Sequence, residues 1–160
     1  MIVGNKSVFG FEYKVTDDSL FYGNGRIWFG ENPICTFEDE THLIHLVNGL
    51  KRIRNSKKLS NYNISSIDNI FDELMKRTEN IDDEQIYDYV ISFGASSDDF
   101  LIFSFSLGNY IYILWKIIVN KSVFDDINIL SKSVYHFKIK KMDYDKTMSM
   151  IITKVPPRYR

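Results

Sequence analysis

FLIFSFSLGNYIYILWKIIV, residues 100–119, is the longest predominantly apolar run in the chain, and its reading decides the fold. It has about the length of the roughly 20 residues that cross a bilayer as a helix. Gly108-Asn109 at its centre argues for a different structure: a Gly-Asn pair between β-rich runs is a hairpin signal, and a lipid-facing amide is costly. Ser104, Ser106 and Lys116 weaken a membrane span further. The run therefore predicts two strands, Asp99 to Ser106 and Tyr110 to Val119, folded back on each other at the centre of a sheet. Alternation groups Leu101, Phe103, Phe105 and Leu107 on one face of the first strand. It groups Ile111, Ile113, Trp115, Ile117 and Val119 on one face of the second, and both sets are expected in the core. The opposite faces mix Ser104, Ser106, Tyr110, Tyr112 and Lys116 with Phe100, Ile102, Leu114 and Ile118, which predicts partial cover by a loop or by another protein.

Toward the N-terminus, Val8 to Val15 alternates apolar and polar residues and predicts the first strand. Thr16 to Ser19 is a polar turn. Phe21-Tyr22 and Arg26 to Phe29 flank Asn24-Gly25, the dipeptide that most favours a type I′ hairpin turn. Gly30 to Pro33 punctuates again, and Ile34 to Phe37 reads as a short returning strand. From Glu38 to Arg54 the period changes. Leu43, Leu46, Val47, Leu50 and Ile53 form an amphipathic stripe, with Glu38, Asp39 and Glu40 near the helix start and Lys51, Arg52 and Arg54 at its end. An Asn/Ser-rich connection runs to Asn63 as a site of flexibility. A second helix then carries Ile67, Ile70, Phe71, Leu74 and Met75, with Ser65 and Asp68 resembling a capping box. The acidic Glu79 to Glu84 connection leads to a predicted strand from Gln85 to Phe93.

Beyond the central hairpin, Asn120 to Asn128 reads as a turn region. Ser133 to Lys141 is a strand with Tyr135, Phe137 and Ile139 inward. Tyr144, Met148, Ile151, Ile152 and Val155 fit a helix beginning after Asp143, although Met148, Met150 and Ile152 also alternate as a strand would, and the helix is preferred. Pro156-Pro157 stops it, leaving Arg158-Tyr159-Arg160 as a mobile tail. The class expected is α+β, a largely antiparallel sheet against two or three helices, in one domain over residues 1–160.

Composition narrows the function classes. A net charge of −1 with 26% charged residues gives no strong overall field for nucleic acid or membrane. The single Cys35 cannot pair within the chain, and the N-terminus lacks the pattern of a secretory leader, so a cytoplasmic protein is expected. Glu38, His42 and His45 have helical spacing for a metal, but a fourth ligand is lacking and a solvated polar face explains them more simply. Cys35 or a serine beside a histidine would be needed for nucleophilic chemistry, and nothing local encodes that arrangement. Gly23-Asn24-Gly25 matches no phosphate-binding loop. Neither a catalytic residue nor a cofactor is expected. The cluster Lys51, Arg52, Arg54, Lys57 and Lys58 could track phosphates, which keeps a nucleic-acid-associated or regulatory domain as the alternative reading.

Met1-Ile2-Val3-Gly4-Asn5 with Phe9, Phe11 and Glu12, the Gly25-Arg26-Ile27-Trp28-Phe29 strand, and Asp99-Phe100 leading to Trp115-Lys116 together resemble the immunity protein 42 family of bacterial polymorphic toxin systems. The resemblance implies a small cytoplasmic protein that is not an enzyme and that binds and neutralises a cognate toxin domain. It brings no catalytic residues and leaves the oligomeric state open. Aromatic anchors and charged loop residues are the natural contact groups, so the partner-binding candidates are Trp28, Asp82, Asp83, Tyr87, Asp98, Asp99 and Tyr112. A core role is the rival reading for Trp28 and the tyrosines.

Overall fold

The computed structural model describes residues 1–59 and 67–160. Strand β1 (Ile2–Gly4) pairs antiparallel with β2 (Phe9–Asp17), and β2 with β3 (Tyr22–Phe29). The outer edge of β3 is shared by β4 (Asn32–Ile34) at one end and β5 (Glu40–His42) at the other, completing a five-stranded sheet. Helices α1 (Leu43–Arg54) and α2 (Ile67–Thr78) follow, then 3-10 turns at Glu84–Asp88 and Ala95–Ser97. The predicted central hairpin forms as β6 (Phe100–Leu107) and β7 (Tyr110–Ile117), closed by Gly108-Asn109 with Gly108 at φ 55°. The short helix α3 (Asp125–Asn128) leads to β8 (Tyr135–Lys140), which completes a three-stranded antiparallel sheet. Helix α4 (Lys141–Lys154) ends the regular structure. Two antiparallel sheets with helices give the α+β class expected.

Both faces of the β6–β7 hairpin are buried, and the register explains why. Phe103 lies opposite Leu114 and Phe105 opposite Tyr112, whereas Ile102 lies opposite Trp115 and Ser104 opposite Ile113. The two residue sets expected to share one core therefore sit on opposite faces. One face, with Ile102, Ile111, Ile113, Trp115 and Ile117, joins Phe9, Phe11, Ile27 and Phe29 of the first sheet, the α1 stripe, and Tyr144, Met148 and Ile151 of α4. Phe9 stacks on both Phe29 and Tyr144, with ring centroids 5.2 and 4.6 Å apart. The other face, with Phe103, Phe105, Tyr112 and Leu114, is covered by Ile70, Phe71 and Leu74 of α2 and by Ile86. The mixed set is split in the same way: Phe100 and Ile102 join the first core, whereas Tyr112 and Leu114 lie under α2.

Several local expectations yield to tertiary demands. Asn24-Gly25 is not a turn: the chain reverses at Asp18–Phe21, and β3 runs straight through with Gly25 opposite Tyr13. Glycine there lets α1 pack closely onto β3. A Cβ on Gly25 would lie 2.6 Å from a Leu46 methyl and 2.7 Å from one of Leu43. The left-handed pair of a type I′ turn occurs instead at Gly30-Glu31, with φ of 59° and 69°, between Phe29 and Asn32. Helix α1 starts at Leu43 and not Glu38, because Glu40–His42 pairs with Tyr22–Asn24. Ile2–Gly4, unassigned by periodicity, is the first strand. Residues 85–93 form no strand. The 3-10 turn drops Ile86 into the second core, and Tyr89 to Ile91 then runs beside β6 with one bridge, Val90 to Phe103. The tail is packed: Pro157–Tyr159 makes a 3-10 turn and the Tyr159 ring lies 6.2 Å from Phe21. The connection around Asn63 and the Ser65–Asp68 capping pair lie outside the described residues.

Gly49 tests the packing of α1. Helix propensity alone makes Gly to Ala stabilising by about 1 kcal/mol in a helix interior. Here a Cβ would lie 2.2 Å from Cδ1 of Phe93 and 2.9 Å from the Ser92 carbonyl. Overpacking of a fixed ring costs about 1–3 kcal/mol and should win, so Gly49→Ala is expected to lower the urea midpoint at unchanged m-value. A raised midpoint would mean that Phe93 moves aside without penalty.

Candidate partner-binding surface

The outward face of the five-stranded sheet carries a polar and aromatic cluster. Register sets Glu12 on β2 opposite Arg26 on β3, two pairs along from Trp28 and on the same face. One Glu12 carboxylate oxygen accepts from Arg26 Nε and from Trp28 Nε1, each at 2.9 Å, and the other accepts from Lys6 Nζ at 2.9 Å. Lys6 Nζ lies 4.5 Å and the Arg26 guanidinium carbon 4.7 Å from the Trp28 ring centre, within cation–π range. Arg26 continues to Asp126 at 3.8 Å, and Asp126 accepts from the Thr36 hydroxyl and the Phe37 N–H, both at 2.7 Å. Glu38, expected at the start of α1, instead accepts from the N–H groups of Asp125 and Asp126 at the start of α3. The cluster thus ties β2 and β3 to the β7–β8 connection and holds Trp28 half-buried in a fixed orientation.

Desolvation pushes the Glu12 carboxyl up, but the Lys6, Arg26 and Trp28 donors outweigh it and hold it at about 2, against an ordinary 4.5. A folded value below the unfolded one means the stabilisation is complete above about pH 4.5 and is lost as the pH falls toward 2. Solvent screening at this half-buried site reduces the contribution to about 1–2 kcal/mol. Glu12→Gln is therefore expected to flatten the fall in melting temperature across that window relative to wild type. Equal acid sensitivity of the two proteins would mean that ionised Glu12 does not stabilise the fold.

The other candidates fall at separate places. Asp82, Asp83 and Tyr87 share the connection after α2, where Asp82 is exposed and Tyr87 is 55% exposed. The Arg77 guanidinium forks onto Asp83 at 2.6 and 3.1 Å and holds its carboxyl below the usual range. The Tyr87 carbonyl accepts from Arg52. Asp98 is exposed just before β6, while Asp99 is half-buried and accepts from the Ser122 hydroxyl. Tyr112 is buried, stacked on Phe105 at 5.2 Å. Reading residue types alone nominated Trp28 but not the Lys6, Glu12 and Arg26 that surround it, whose signal is the cross-strand register.

The family model described as immunity protein 42 matches residues 1–154. This chain belongs to the immunity protein 42 family. The crystal structure of CdiI from Burkholderia dolosa is similar over 97% of this chain and 100% of its own, with a TM-score of 0.66 at 13% identity, a likeness of fold alone. No curated protein matches the chain. Among the described residues, no helix is long and apolar enough to cross a membrane.

In this immunity protein 42 family member the groups weighed for chemistry in the sequence are buried or lie apart. Cys35 is buried, and desolvation pushes its thiol well above its ordinary value, so it does not supply a thiolate. Glu38 caps α3 while His42 ends β5 and His45 lies on α1, so the three do not share a helix face. The basic cluster is divided: Arg54 pairs with Asp145 at 2.7 Å, Arg52 donates to the Tyr87 carbonyl, and Lys57 and Lys58 run along the edge of β6.

Proposed function

We propose that this member of the immunity protein 42 family binds a cognate toxin domain directly in the cytoplasm of the cell that makes both, and neutralises it without a catalytic step of its own. Family membership over residues 1–154 carries this reading. The geometry agrees with it: Trp28 is fixed by a charged cluster on an open sheet face, and Asp82, Tyr87 and Asp98 stand accessible at loops, the arrangement of anchors and steering charges that protein recognition uses. The test is expression of the toxin domain encoded beside this gene, with and without this protein. Growth is expected to be rescued and the two proteins to co-purify. Toxicity unchanged by co-expression, with no complex recovered, would overturn the reading.

A further inference from the structure

The three-stranded sheet has unequal edges. The outer edge of β6 is occupied: Ser106 N–H donates to the Lys57 carbonyl, Leu59 N–H to Ser106, Ser104 N–H to Tyr89 and Ile91 N–H to Ile102. On the other side β8 is the last strand. The Lys141 N–H to Asn109 carbonyl bond (2.9 Å) sets the phase of the β7–β8 ladder. Antiparallel alternation then gives Ile139, Phe137 and Tyr135 the bonds to β7. The backbone N–H and C=O of His136 and Lys138 and the N–H of Lys140 point away from β7, and no group of a described residue bonds them. An edge of this kind is a template for an added strand.

Its chemistry restricts the occupant. His136, Lys138 and Lys140 stand exposed on one face of β8, followed by Lys141. Lys138 Nζ lies 4.1 Å from the Tyr110 ring centre, and no carboxylate of a described residue pairs with Lys138, Lys140 or Lys141. A second copy pairing antiparallel along β8 would bring these lysines against their own counterparts, and like charges directly opposite are destabilising. A segment of opposite sign meets no such penalty. Where the edge reaches the hairpin, a cavity of about 420 Å³ opens between Asn109, Tyr110, Lys140, Lys141 and Met142.

We propose that β8 receives an extended acidic segment of the toxin as an added strand, with its carboxylates meeting Lys138 and Lys140 and an apolar side chain entering the cavity beside Tyr110 and Met142. This deepens the toxin-binding reading and rests on it. The test titrates the toxin domain encoded beside this gene into three folded forms: wild type, Lys138→Glu/Lys140→Glu, and Lys138→Pro, which removes one outward N–H at an edge position where proline is tolerated. Each variant is expected to bind at least about tenfold more weakly, and Lys138→Arg/Lys140→Arg to bind as wild type. If either variant melts below the assay temperature, Lys138→Ala/Lys140→Ala replaces it with the same expectation. Wild type binding the toxin while the variants bind equally well would overturn the edge proposal and leave the toxin reading standing. Wild type failing to bind overturns both. A wild-type dimer broken by the same substitutions would assign the edge to a second copy instead.

Discussion

Trp115→Ala is expected to lower the unfolding free energy by about 3–5 kcal/mol, measured by urea denaturation. The indole is fully buried between the two sheets: it stacks on Tyr135 of β8 at 5.3 Å with planes 10° apart, and meets Phe29 of β3 at 6.0 Å. Removing it opens a void that β7 cannot close, because its neighbours on the ladder are held on both sides, by β6 and by β8. Trp115→Phe is a sharper probe. Nε1 of Trp115 is buried and finds no partner among the described residues, and an unpaired buried N–H costs about 1–3 kcal/mol. Phenylalanine removes that donor while keeping most of the ring, so the loss should stay under about 1.5 kcal/mol. A loss for Trp115→Phe of about 2 kcal/mol or more, as expected for a large-to-small core change with no compensating relief, would show that the orphaned N–H carries no penalty.

The central hairpin was legible because Gly108-Asn109 interrupts two β-rich runs, and the same two residues also encoded the face assignment. A two-residue loop pairs Leu107 with Tyr110; counting back puts Phe103 beside Leu114 and Trp115 beside Ile102. Phe103 and Trp115 therefore cannot share a face. Two apolar sets on opposite faces require two covering layers, which is what α1 with the first sheet and α2 provide. That count needed no structure. The N-terminal sheet was not legible in the same way, because a local signal pointed the wrong way. Asn24-Gly25 has turn chemistry, yet Gly25 serves the close approach of Leu43 and Leu46, which lie far along the chain.

The same displaced turn hid most of the candidate surface. Had the chain turned again at Asn24-Gly25, Arg26 would have paired back onto its own neighbours and not onto Glu12. With the reversal at Asp18–Phe21, Glu12 comes opposite Arg26 and within reach of Trp28. Trp28 was nominated as a candidate anchor by residue type alone, but the charges that orient it depend on register. For the acidic loops, Asp82 and Asp98 are exposed but Asp83 and Asp99 are half-buried, and the Arg77 fork on Asp83 and the Ser122 bond to Asp99 are set by how the segments fold back.

Phe71→Ala is expected to cost about 3–5 kcal/mol and to act on one part of the molecule first. Helix α2 has twelve residues, too short to persist in water on propensity alone. It is held by Ile70, Phe71 and Leu74 against the second face of the β6–β8 sheet, where the Phe71 ring meets Phe103 edge-on at 5.3 Å and 72°. The α1 stripe and the first sheet belong to the other core and do not rest on α2. Truncating Phe71 should therefore lower the free energy for opening α2 more than that for global unfolding. In native-state hydrogen exchange, the amides of α2 should lose protection while those of β2 and β3 keep theirs. Undocking α2 would also bare Phe103, Phe105 and Leu114, so the variant should bind an apolar dye before its global transition. An equal loss of protection in α2 and in the β2–β3 ladder would show instead that the two cores unfold as one unit.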